Sequence, residues 1–78
     1  MTINYNLICE DGDYLDKLFC QDFKNTNSII NLVIPRVGEK IEVQNMEYEI
    51  KNIKYLYDQK FDTNNIFLIG IEIDLMLN

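Results

Sequence analysis

The sequence predicts a mainly β (α+β) fold: a small curved antiparallel sheet or barrel of about five strands, with one short amphipathic helix after the first strand. Three observations carry this. Two long runs, residues 48–57 and 66–77, are rich in β-branched and aromatic side chains, the types that pack well on a pleated surface. Residues 58–65 between them are polar except for Phe61, so the runs are expected to pair antiparallel. Alternation slips once inside the first run: Tyr48 and Ile50 share one parity, Ile53, Tyr55 and Tyr57 the other. One extra residue around Lys51-Asn52 restores a common inward face, which is a β-bulge and implies a bent strand.

Taken in order, residues 2–9 alternate. Ile3, Tyr5, Leu7 and Cys9 fall on one face and Thr2, Asn4 and Asn6 on the other, as in a half-buried strand, with Ile8 the exception. Glu10-Asp11-Gly12-Asp13 reads as a turn. From Asp13 to Lys24 the period changes: Leu15, Leu18 and Phe19 recur at three- and four-residue spacing, with Phe23 close to that stripe. Asp13, with Asp16 three residues later, resembles a capping box. A short helix lying on the sheet is expected there; a second strand and loop is the competing reading. Residues 25–28 read as a loop and residues 29–34 as a strand that Pro35 ends. Gly38 supplies a turn, residues 40–44 alternate with Ile41 and Val43 inward, and Asn45-Met46 connects tightly into the next strand. In the last run Phe67, Ile69, Ile71, Ile73, Leu75 and Leu77 share one face. Its first half is apolar on both faces, so the helix or another protein has to cover one of them. Gly70 in mid-strand marks a bend or a close backbone approach.

Seventy-eight residues make one small domain. An apolar share of 47% supports one core, not a core plus a deep substrate cavity. Thirteen acidic residues against seven basic ones give a net charge of −6. Phosphate backbones are gripped by clustered Lys and Arg, so direct binding of nucleic acid or of an anionic membrane is not expected, whereas a basic protein partner is. No run approaches the ~20 apolar residues of a membrane helix, and residues 1–4 lack a secretory pattern; the cytoplasm is the expected location. Cys9 and Cys20 are too far apart for a paired-cysteine motif, and reduced thiols are expected, with a disulfide left to geometry. Twelve Ile, ten Asn and six Lys against one Arg match the usage of an AT-rich bacterial or phage genome.

The segment Ile34-Pro35-Arg36-Val37-Gly38-Glu39-Lys40-Ile41, followed by Tyr48-Glu49-Ile50 and Ile53-Lys54-Tyr55, resembles a pattern of small Src-homology-3-like (SH3-like) barrels, many from phages and other mobile elements. The resemblance spans roughly the last two-thirds of the chain. It implies a barrel or strongly curved sheet and carries over no catalytic residue.

There is no His, the commonest general base and metal ligand. Ser28 is the single Ser and has no base beside it, and three isolated glycines make no phosphate loop. A calcium loop starting at Asp11 needs an oxygen ligand at its fifth position and Gly at its sixth, where Leu15 and Asp16 stand. Glu47 with Glu49, and Glu72 with Asp74, could serve acid–base chemistry; they read more simply as solvated strand faces paired with Lys40, Lys51 and Lys54. No enzyme activity, metal or cofactor is expected. What remains is acid mixed with an aromatic ring. Glu10, Asp11, Asp13, Asp16 and Asp22 face only Lys17 in the first 23 residues, with Tyr14 among them. Such a surface can meet a basic groove, Tyr supplying rigid contact area, and can imitate nucleic-acid phosphates; a solvated face is the plainer alternative. The candidate partner-binding residues are Glu10, Asp11, Asp13, Tyr14, Asp16, Asp22, Glu47 and Glu49. The expected function is a non-catalytic protein-binding module: an acidic inhibitor of phage or mobile-element type, the class of anti-CRISPR proteins, blocking a nucleic-acid-handling host protein. The alternative is an assembly subunit that self-associates through its last strand as a homodimer.

Overall fold

A computed structural model describes residues 1–22, 34–61 and 64–78. The described residues form one five-stranded sheet. Its strands are β1 (Thr2–Ile8), β2 (Tyr14–Asp22), β3 (Lys40–Val43), β4 (Met46–Gln59) and β5 (Ile66–Leu77), in the spatial order β2-β1-β5-β4-β3. Leu18 and Phe19 of β2 line one cavity together with Val43 of β3 and Met46 and Tyr48 of β4. Since β2 and β3 are opposite edges of the sheet, the sheet curls into a half-barrel. The core lies inside the curl: Ile3 and Tyr5, Tyr48 and Ile50, and Ile71, Ile73 and Leu75 are buried. Each contributes roughly 1.5–3 kcal/mol by leaving water.

The sheet is mixed rather than antiparallel throughout. β1–β2, β3–β4 and β4–β5 are antiparallel, but β1 runs parallel to β5, from Thr2 opposite Gly70 to Leu7 opposite Leu75. Alternation tells which face of β1 is inward and is silent on direction. No tight turn joins β1 to β5, so nothing local forces the antiparallel sense.

The segment expected as a helix is strand β2. Tyr5 pairs with Phe19 but Asn6 with Lys17, and Leu7 with Asp16 but Ile8 with Tyr14. Leu18 and Leu15 are therefore extra residues at two irregularities of the ladder. Two such slips produce the three-residue spacing that a helical face also shows. A helix of two to three turns is marginal alone, whereas hairpin pairing with β1 satisfies the backbone directly. Asp13 caps no helix; its carbonyl accepts from Cys9 N at 2.9 Å and closes the turn.

The bulge expected near Lys51-Asn52 is present: Ile50 pairs with Leu75 and Asn52 with Asp74, leaving Lys51 over. A second lies on β5. Leu56 pairs with Gly70 but Tyr57 with Leu68, so Ile69 is the extra residue. It moves Phe67 off the core face, and Phe67 and Ile69 are exposed rather than inward as alternation predicts. Gln44 and Asn45, with φ of 51° and 68°, form the two-residue β3–β4 turn, the primed geometry that suits hairpin twist. It starts one residue earlier than expected. Gly38, at φ 93°, makes the expected turn, and its N donates to Ile50 O at 2.8 Å. The loop and strand expected over residues 25–34 lie outside the described residues except for Ile34, which packs on the core.

β1 pairs with β5 only from Gly70 onward, and β3 pairs with β4 only over residues 46–49. The ends of β4 and β5, residues 57–59 and 66–69, therefore run on, among the described residues, as a two-stranded ribbon. The radius of gyration is 14.0 Å, against about 11.5 Å for a compact chain of this length.

Candidate functional site

The acidic candidates gather at the β1–β2 turn because alternation stops there and polar residues take over. Gly12 N donates to Cys9 O at 2.9 Å, and Gly12 adopts φ 89°, a region open to Gly at no steric cost. Glu10, Asp11 and Asp13 stand exposed around this turn, Tyr14 is 63% exposed and Leu15 57%. Asp16 follows on β2, its carboxylate accepting from Lys17 N at 2.8 Å. β2 is an outer strand, so one side of its backbone faces no other strand among the described residues.

A cavity of about 380 Å³ opens beside the turn, lined by Ile8, Cys9, Glu10, Asp11, Gly12, Lys51 and Met76. Lys51 brings the central part of β4 to this end of the sheet. Its ammonium pairs with Glu49, holding that carboxyl below its ordinary range, first through the hydrogen bond and then through the charge, with a smaller contribution from Lys40. Glu49 therefore neighbours the acidic turn, but as half of an ion pair.

Two candidates stand elsewhere. Asp22 lies opposite Thr2, whose hydroxyl donates to it; six residues of strand separate it from Asp16, roughly 20 Å. Glu47 sits opposite Glu42 on the β3–β4 hairpin, 3.7 Å from Lys40, and accepts from the Asn78 amide. Glu10, Asp11, Asp13 and Tyr14 thus sit together at one turn, with Asp16 close by in sequence but opposite Leu7, on the other face of β2 from Tyr14 opposite Ile8; Asp22 and Glu47 lie away from it.

Glu72 and Asp74 lie mid-sheet on the outer face. Asn4 donates to Glu72 at 3.1 Å, Asn6 to Glu72 at 2.9 Å and to Asp74 at 3.4 Å, and Asn52 to Asp74 at 3.3 Å. This amide ladder ties β1, β5 and β4 together. Among the described residues, no three His, Cys, Asp or Glu side chains are placed to hold a metal ion, and no helix is long and apolar enough to cross a membrane. Cys9 and Cys20 are free thiols. Cys20 pairs with Asn4, five residues from Cys9, roughly 16 Å along the strand and beyond the ~7 Å reach of a disulfide.

Sequence reasoning missed the mouth of the half-barrel. Leu18, Phe19, Val43, Gln44, Met46 and Tyr48 line a cavity of about 290 Å³ between the two edges. The one signal was Met46, apolar and directly after a tight turn. Compared with protein-family models, curated proteins and solved structures, the chain matches none.

Proposed function

We propose that the protein is a non-catalytic binding module that presents the β1–β2 hairpin end to a basic protein partner. One observation carries this reading: Glu10, Asp11 and Asp13 stand exposed at one turn beside the exposed Tyr14 and Leu15, on a strand that is an edge of the sheet among the described residues. Apolar side chains supply the contact area and the surrounding carboxylates steer the encounter and select against acidic partners. The outer side of β2, which pairs with no strand among the described residues, can add the partner's strand to the sheet. A partner of this chemistry is a protein whose own groove handles nucleic acid, and occupying that groove makes this chain an inhibitor, the role taken by phage-carried proteins of the anti-CRISPR class.

The test is capture of host-lysate proteins on the immobilised chain, followed by elution in rising salt. Binding is expected to weaken steeply as ionic strength rises. Asp11→Lys with Asp13→Lys is expected to release the partner, whereas Asp22→Lys with Glu47→Lys is expected to retain it. Capture that ignores both salt and the first pair of substitutions refutes the reading.

A further inference from the structure

We propose that the β4–β5 ribbon is the docking surface for a second copy of this chain. The β5 edges at Ile66, Phe67 and Leu68 pair antiparallel across a twofold axis.

The ribbon carries the apolar face of the core out beyond the other strands among the described residues. By register, Tyr55 opposite Ile71, Tyr57 opposite Leu68 and Gln59 opposite Ile66 continue the face that holds Ile73 and Leu75. Yet Tyr55 is 45%, Tyr57 60% and Ile66 68% exposed, and Phe67, on the other face, 47%. Two strands without further cover are marginal in water. The edge is open as well: β1 begins opposite Gly70, so no strand among the described residues lies beside Ile66, Phe67 and Leu68. None of the three is a charge or a Pro, the usual means of blunting an exposed edge.

Charge chooses the occupant. From Lys54 to Ile69 the chain has two lysines and two aspartates, so this stretch is neutral and the remainder carries the whole −6. Two identical polyanions meet with least repulsion here. The acidic turn, beyond Leu7 and Leu75, lies at the other end of β5, roughly 23 Å along the strand and more than two screening lengths away at physiological salt. Tyr55, Tyr57, Phe61 and Phe67 expose between 45% and 88% of their surface, roughly 500 Å² for rings of about 200 Å² each. This area is spread over both faces of the ribbon, and Tyr55 and Tyr57 belong to β4 rather than to the β5 edge, so edge pairing covers part of it, the size of a small interface. The contact is isologous, the same segment on both copies, and so closes at two.

Sedimentation of the full chain over a wide concentration range tests this. A monomer–dimer equilibrium is expected that rising salt leaves unchanged or strengthens, opposite in sign to binding through the acidic turn. Ile66→Lys and Phe67→Lys, both at exposed positions, are each expected to weaken dimerisation at least tenfold, with circular dichroism confirming the fold. Asp11→Lys with Asp13→Lys is expected to keep the dimer, so this result stands or falls apart from the proposed function. A monomer at every concentration overturns the proposal, and so does a dimer that survives both ribbon substitutions or dissolves in salt.

Discussion

Gly70 of β5 stands between Thr2 of β1 and Leu56 of β4. A Cβ there would stand 3.1 Å from the Thr2 carbonyl oxygen and 3.6 Å from Leu56 Cδ1, so β1 could not keep its parallel pairing without moving. Gly70→Val is expected to cost about 1–3 kcal/mol through overpacking. It would be read as a lower denaturant midpoint with an unchanged slope. A Gly inside an apolar run flags a bend or such a contact in the bare sequence, since Gly is a weak strand former. Ile3, Tyr5, Ile71, Ile73 and Leu75 are legible in the same way, each at an inward parity position. Leu15 and Leu18 are not: two extra residues in one strand copy the spacing of a helical face, and single-chain periodicity has no means of separating the two. The acidic turn is legible because consecutive carboxylates beside Gly have no place in a core. The grouping of Glu49 with that turn and the separation of Asp22 and Glu47 depend on strand order, which no local pattern encodes.

At the scale of elements, the two bulges of the β4–β5 hairpin differ in legibility for one reason. Around Lys51 apolar residues of opposite parity flank the slip, so the sequence shows it. Around Ile69 both parities are apolar from Ile66 to Leu68, and a slip leaves no trace. The Lys51 bulge yields a prediction. Removing Lys51 brings Ile50 and Asn52 together and leaves every later residue of β4 opposite its present partner, with Ile53 still inward. The deletion variant is therefore expected to stay folded, with stability within about 1–2 kcal/mol of the parent and a straighter β4. Adding one residue after Ile53 turns Tyr55 and Tyr57 to the other face and is expected to be the more damaging change. Chemical denaturation of the two variants checks the order.

For the whole molecule, alkaline stability has an identifiable source. Tyr5 ties β1 to β2, its ring stacked on Phe19 at 4.1 Å between centroids and its hydroxyl donating to Gln21 at 3.1 Å. Burial raises its phenol above the ordinary value of 10.0. The unfolded chain gives up that proton first, so this contribution is complete below pH ~10 and is lost as pH rises toward the folded value. Tyr5→Phe is expected to flatten the fall in melting temperature between about pH 9 and pH 11, and an unchanged slope would assign the loss to other groups. The position of β5 has a further consequence. The sheet's middle strand comes last in these 78 residues, and both of its neighbours depend on it. On a ribosome, β1 with β2 and β3 with β4 can each close as hairpins before the strand that pairs with both is made. A nascent chain stalled before Ile71 would carry two disconnected halves, so stable structure has to wait for synthesis to pass the final isoleucines.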